Sequence, residues 1–408
     1  MKTPYIVISH ERLLNAAEGL INSKRLKGYD VEVRTVNDII QAYPGPEGAW
    51  ISIRAYLEAL IVEEDISSGC LLLIGDGSLV PGFPQTYLGN TFESDSYYTI
   101  LGREITPILA TGRLSSNDPE VIGHICDALL NYPQATIKDY EAKRIVLTGW
   151  IPRDFQAKHY WRDPGWSCTR EIDKSRYHVS FRFENDETII GQTSTLGDGD
   201  NRRSIWRVAD TSKQDLITSI ERGSLIVRYN GHGADTCWTN IGITGEPEQN
   251  FCCSDVTDLA QTHLLPFVIS LACHTGDITP FQSFAETWQS QLKAIGVYAA
   301  DEPGNTAWDD QIFQRILKEV FTGKSTQIGI ILDKAIKKIY HDFKNSPEIS
   351  EECLIKLPRM FRYFGDPDTE ILVRKRSRIY AIMKDLLYLL LRILGINPIK
   401  IMGCIEQD

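Results

Sequence analysis

The chain has 408 residues, a formal net charge of -11, 42% hydrophobic residues and 24% charged residues. That length suits two or more domains, or subdomains sharing an extended sheet, and the composition is that of a globular protein with a substantial core. The acidic balance argues against nucleic acid as a main partner, because phosphate binding needs a basic surface.

Met1-Lys2-Thr3-Pro4 leads directly into the apolar run Tyr5-Ile6-Val7-Ile8-Ser9, with no separate apolar leader or small-residue cleavage site. On that ground a cytoplasmic protein is expected. Strand and helix patterns alternate from Tyr5 to about Tyr132, which predicts an α/β subdomain on a parallel sheet. The segment from Tyr132 to Asp139 reads as a connection, and a second unit opens with a strand near Ile145. The predicted units are 1–138, 139–375 and a Leu-rich tail, 376–408.

A polar loop follows, Thr195-Leu196-Gly197-Asp198-Gly199-Asp200-Asn201-Arg202-Arg203. Gly, Asp and Asn suit a turn, while the acids suit a structural calcium ion and the paired arginines an activating cut. The loop lacks the ligand pattern of an EF-hand, so no cofactor is expected. The nine cysteines are scattered and contain no CxxC pair, indicating neither a disulfide framework nor a zinc cage. Cys252-Cys253, with Cys237 and His263 nearby, is a poor tetrahedral set, and no metal site is expected there.

Two buried strands carry the chemistry. Ser224-Leu225-Ile226-Val227-Arg228-Tyr229-Asn230-Gly231 ends at His232-Gly233, and Pro266-Phe267-Val268-Ile269-Ser270-Leu271 ends at Ala272-Cys273. Both runs are continuous, rich in β-branched residues and closed by Gly or a polar residue. In an open parallel sheet chemistry gathers at the carboxyl ends of the strands, so His232 and Cys273 could meet there as a nucleophilic dyad. A thiol with a pKa of roughly 8.5 needs a neighbouring base to populate the thiolate at neutral pH, and an imidazole can later protonate a leaving amine. Gly233 lacks a Cβ, which lets a carbonyl approach, and its N–H with that of Cys273 could form an oxyanion hole. His274 follows Cys273; if strand alternation continues, the two point to opposite sides.

Ordered blocks along the chain resemble the gingipain-like cysteine peptidases, of the same clan as caspases and legumains. They are Tyr5-Ile6-Val7-Ile8-Ser9-His10, Lys27-Gly28-Tyr29-Asp30-Val31-Glu32-Val33, Leu72-Leu73-Ile74-Gly75-Asp76-Gly77, Ser94-Asp95-Ser96-Tyr97-Tyr98 and Thr111-Gly112-Arg113-Leu114. After them come Tyr229-Asn230-Gly231-His232-Gly233, Leu271-Ala272-Cys273-His274-Thr275-Gly276, Phe284-Ala285-Glu286, Ala307-Trp308 and Phe364-Gly365-Asp366-Pro367. The resemblance spans roughly 4–373. It implies a caspase-like parallel-sheet sandwich with two α/β subdomains, to which this chain adds a C-terminal helical tail.

The resemblance also implies roles: Cys273 as nucleophile, His232 as general base and acid, and the backbones of Gly233 and Cys273 as oxyanion donors. Trp308 falls where relatives place an aromatic lid over the specificity pocket, with Asp309, Asp310 and Ile312 beginning the helix behind it. Relatives carry a His-orienting carboxylate just after the strand that here reads Ile145-Val146-Leu147-Thr148-Gly149-Trp150; this chain has Ile151 there, and Asp154 is the substitute. Selecting Arg or Lys before the cut needs an acidic pocket floor, because an unpaired buried cation is costly. Asp154, Asp163, Glu171 and Asp173 lie in the corresponding stretch, and Asp163 is preferred.

The expected function is therefore a regulated intracellular cysteine endopeptidase that cuts a selected protein or peptide through a thioester. An inactive scaffold or a transpeptidase using the same acyl-enzyme are the alternatives. The tail, Ile379 to Leu394 after the basic cluster Arg374-Lys375-Arg376-Ser377-Arg378, is too short in its apolar stretch to span a bilayer. It suits packing on the protease, binding a regulatory protein or a second copy, or resting peripherally on an anionic membrane surface.

Overall fold

The computed structural model describes residues 2–87, 89–102, 105–132, 136–140, 144–149, 178–183, 212–239, 250–262, 264–278, 282–302, 306–345 and 351–373. Segments of four to seven residues form its longer strands. These are β1 (Pro4–Ser9), β2 (Asp30–Thr35), β3 (Gly69–Ile74), β4 (Phe83–Tyr87), β5 (Asn90–Ser94), β6 (Leu109–Leu114), β7 (Arg144–Gly149), β8 (His178–Phe183) and β9 (Ser224–Asn230). Three two-residue strands follow, β10 (Gly233–Ala234), β11 (Cys237–Trp238) and β12 (Phe251–Cys252), then β13 (Phe267–Leu271), β14 (Gly296–Ala300) and β15 (Phe361–Phe364).

Ten strands form one sheet in the order β2-β1-β3-β6-β15-β14-β13-β9-β7-β8. Neighbours are parallel throughout except β14 and β15, which are antiparallel. The strands from β2 to β15 therefore run one way and those from β14 to β8 the other. The fold is α/β and caspase-like, with helices on both faces. Alternation explains the layers. On β1, Tyr5 and Val7 pack with Leu13 and Leu20 of the helix Glu11–Leu26, while Ile6 and Ile8 pack with Ile53 and Leu57 of the helix Ala49–Glu63. On β13, Phe267, Ile269 and Leu271 meet Ile312, Phe313 and Ile316 of the helix Thr306–Thr322, and Val268 meets Phe284 and Trp288 of the helix Phe284–Ser290. Each such side chain contributes about 1.5–3 kcal/mol by leaving water.

Buried charges fasten β15 and the turn after it to β6, β1 and their neighbouring segments. Arg113 on β6 donates two 2.7 Å hydrogen bonds to Asp95, and Arg362 on β15 donates a third at 3.0 Å. Burial alone would raise the Asp95 pKa, but the two guanidiniums more than offset it and hold the carboxyl below its ordinary range. Past β15, Asp366 accepts from Tyr5 at 2.6 Å, and Lys24 pairs with both Asp366 and Asp368. Burial opposes ionisation of Asp368, yet Lys24, Tyr29 and Lys27 bring it down to about 2. Asp95, Arg113 and Asp366 of the ordered sequence blocks are thus framework residues.

Candidate active site

Register places the two predicted residues side by side. β9 and β13 are parallel neighbours with Asn230 opposite Leu271, so His232 and Cys273 each lie two residues beyond matched strand positions. The Gly231 N–H donates to the Leu271 carbonyl at 3.3 Å, carrying the pairing past the strand ends. His232 is exposed and Cys273 half-buried, so both face a solvent-accessible edge.

Gly233 is required by space. A Cβ there would lie 2.6 Å from the Cys273 carbonyl oxygen, 2.8 Å from the Ala272 Cβ and 3.0 Å from the Thr275 Cγ2. The His232 strand can therefore approach the Cys273 turn only if residue 233 has no side chain.

A hairpin holds His232. β10 pairs antiparallel with β11 across the turn at Asp235 and Thr236, placing Gly233 opposite Trp238 and Ala234 opposite Cys237. The His232 carbonyl accepts from the Thr239 N–H at 3.0 Å, and the single Tyr229 hydroxyl proton is shared between the His232 carbonyl, at 2.9 Å, and the Thr239 carbonyl. Tyr229 stacks on Trp238, with ring centroids 4.8 Å apart and planes at 14°. Two backbone anchors thus fix the peptide that carries the imidazole.

The Cys273 turn is held from beneath by a directed hydrogen-bond chain. Trp238 Nε1–H donates to Ser270 Oγ at 2.7 Å, and Thr275 Oγ1–H donates to the Ala272 carbonyl at 2.9 Å. The 2.7 Å bond between the two hydroxyls must then run from Ser270 to Thr275, because Thr275 has already committed its proton. All three side chains are buried, so the chain is shielded from competing water.

One short helix clamps both loops. The Phe284 N–H donates to the Asp235 carbonyl at 2.7 Å in the His232 hairpin, and the next amide, Ala285, donates to the Thr275 carbonyl at 3.0 Å in the Cys273 turn. Ser283 and Glu286 form a capping box, and Glu286 also accepts from the Ser115 hydroxyl at 2.6 Å. Burial raises the Glu286 pKa, with Ser115 and the Ser283 amide opposing the rise. Gly276 closes the turn: its N–H donates to the Ala300 carbonyl at 2.8 Å and its carbonyl accepts from Arg362.

Strand alternation does not continue through Cys273. β13 ends at Leu271, and His274 has φ 60, the left-handed region that costs a residue with a Cβ about 1–2 kcal/mol. The tightly bonded turn, not strand geometry, sets the directions of Cys273 and His274. His10 caps its helix by accepting from the Arg12 N–H at 3.3 Å.

Trp308 lies in the first turn of the helix Thr306–Thr322, and its side chain is outside the described residues. Ile312 on that helix is fully buried with Phe313, Ile316 and Leu317. Asp154, Asp163, Glu171, Asp173, the 195–203 loop and the 376–408 tail fall outside the described residues. Among the described residues no group of three His, Cys, Asp or Glu could hold a metal ion, and no helix is long and apolar enough to cross a membrane. Tyr229, Trp238, Ser270 and Thr275 were not singled out by sequence. Tyr229 and Thr275 stand in the sequence blocks of the resemblance without an assigned role, and Trp238 and Ser270 lie close in the chain to His232 and Cys273.

A doubly covered, mainly parallel sheet with Cys and His at adjacent strand ends defines the class as a caspase-like α/β fold. The model for peptidase family C25 matches residues 2–372, and the chain belongs to that family. Two Lys-gingipains of Porphyromonas gingivalis, HG66 and that of strain ATCC 33277, are 21% and 22% identical over 315 residues. These matches cover 76% of this chain but 16% of each relative, so the chain spans about a sixth of their length. The crystal structure of the Arg-specific cysteine proteinase gingipain R (RgpB) superposes with a TM-score of 0.69 at 17% identity, covering 91% of this chain and 78% of that one. The complex of the Porphyromonas gingivalis RgpB pro- and mature domains gives 0.68 at 16% identity, covering 90% and 79%.

Proposed function

We propose that the protein is a cysteine endopeptidase working through Cys273 and His232. The observation that carries this reading is the matched register of the two strand ends, closed by a glycine that only a missing Cβ allows against the Cys273 carbonyl. The Cys273 thiolate attacks the scissile carbonyl carbon while its proton resides on His232. The tetrahedral oxyanion is received by the Gly233 and Cys273 N–H groups. His232 then protonates the departing amine, leaving a thioester. A water that loses its proton to His232 attacks the thioester, and collapse of the second tetrahedral intermediate returns the thiol.

Membership of family C25 supports a protein or peptide substrate. Relatives named for Lys and Arg favour a basic residue before the cut, with Asp163 on the pocket floor, Trp308 above it and Asp154 orienting His232. A complex between pro- and mature domains in RgpB favours restraint by a protein segment here too, and cleavage of a selected partner. The test is incubation of the purified protein and its Cys273→Ala variant with a diverse peptide library, read by mass spectrometry. Cuts after Lys or Arg confined to the intact protein are expected. Absence of cuts, together with failure of an electrophilic peptide to label Cys273, refutes the reading in favour of a binding module. Ligation to an added amine in place of hydrolysis assigns a transpeptidase.

A further inference from the structure

Next to the His232 hairpin lies a second thiol site that the proposed reaction does not use. β11 and β12 are antiparallel, with Cys237 directly opposite Cys252 and Trp238 opposite Phe251. The Cys253 N–H donates to the Thr236 carbonyl at 2.9 Å, so the ladder bond falls on the flanking pair, and Cys237 and Cys252 occupy a non-hydrogen-bonded position. At such positions Cα atoms lie about 4.5 Å apart with side chains on one face. That is inside the range of roughly 4.4–6.8 Å spanned by disulfides.

The two thiols are in hydrogen-bonding reach of each other. The bond from Cys252 brings the Cys237 pKa down to about 7, outweighing burial, while the same contact raises that of Cys252. A thiol titrating near ambient pH is the best placed to enter exchange. Cys252 is partly exposed, which gives a small reagent access to the pair. By contrast, burial pushes the Cys126 thiol up to about 12, leaving it inert.

We propose that Cys237 and Cys252 form a redox-active pair that a low-molecular-weight disulfide converts to a cross-strand disulfide. One protein thiolate attacks a sulfur of the reagent, forming a mixed disulfide and releasing one reagent thiolate. The second protein thiolate then attacks the protein sulfur of that mixed disulfide and releases the other. Two protein thiols are oxidised, the reagent is reduced to two thiols, and the two protons pass to them. The bond fastens β11, whose neighbour Thr239 holds the His232 carbonyl, to the helix Cys253–Asp258, and it does not involve Cys273.

The test treats full-length protein and its Cys273→Ala variant with oxidised glutathione, blocks remaining thiols with iodoacetamide, and maps unreduced peptides by mass spectrometry. A peptide pair joined through Cys237 and Cys252 is expected in both proteins and in Cys253→Ser, and dithiothreitol should dissolve it. In Cys237→Ser the remaining Cys252 should appear as the glutathione adduct. Recovery of both residues alkylated, or of a bridge through Cys253 instead, overturns the proposal. Because the Cys273→Ala protein serves equally well, the outcome is independent of whether the chain is a peptidase.

Discussion

Replacing Gly233 by alanine adds one methyl group at the closest approach between the His232 hairpin and the Cys273 turn. Its carbon would fall 2.6 Å from the Cys273 carbonyl oxygen and 2.8 Å from the Ala272 Cβ, and neither is the movable end of a long side chain. Relief to ordinary contact, 3.4 Å or more, requires the two segments to part by roughly 0.8 Å. The turn cannot retreat cheaply, because Thr275 and Gly276 are bonded to Ala285, Ala300 and Arg362. The hairpin must therefore move, taking His232 with it. Misplacement of about 1 Å costs reactions of this kind up to about 100-fold, so a loss of about 10- to 100-fold in kcat/KM is expected. Overpacking should also cost about 1–3 kcal/mol of stability. Steady-state kinetics on the substrate found in the library screen, with denaturant unfolding alongside, measures both. Activity within threefold of the parent in a normally folded variant would show that this contact does not set the spacing of the dyad.

Gly123 provides the contrast: it sits in the helix Pro119–Asn131 with nothing within 4 Å of its missing Cβ, so Gly123→Ala should stabilise the protein by about 0.5–1 kcal/mol in urea unfolding, and destabilisation would contradict the geometry. Thr275→Val leaves the buried Ser270 hydroxyl without its acceptor and the Ala272 carbonyl without its donor; a loss of about 1–3 kcal/mol is expected, with kcat falling more than KM, and a fully stable variant would disprove the directed chain. Burial raises the Asp301 carboxyl to about 7 against the opposing pull of Arg362. The folded state then binds more protons than the unfolded one between about pH 4 and 7, so this group makes stability fall as pH rises across that window and level off above it. Asp301→Asn should remove that component from a plot of unfolding free energy against pH, and an unchanged slope would refute the assignment.

Much of the fold was legible because it is encoded in local periodicity. The runs at Tyr5–Ser9, Leu71–Ile74, Leu225–Asn230 and Phe267–Leu271 are mostly apolar and buried on both faces, as strands covered by two helix layers must be. The placement of His232 and Cys273 at neighbouring strand ends was legible for a related reason: a strand end is visible in sequence, and both residues stand just past one. β15 was harder to place. Phe361-Arg362-Tyr363-Phe364 is short, carries a buried arginine and directly follows a helix, so nothing local marks it as the strand that reverses the sheet between β6 and β14.

The sequence alone therefore determined which residue types stand at which strand ends, because burial and alternation act over a few neighbouring positions. Tertiary structure decided the rest. The equal offsets of His232 and Cys273 depend on the register of β9 against β13, and the tolerance at residue 233 depends on a carbonyl forty positions away. Bonds from Phe284 and Ala285 to two different loops, and the opposition of Cys237 to Cys252, likewise arise only when distant segments pack. Those pairings are set by the free energy of the whole assembled core, which no single stretch of chain contains.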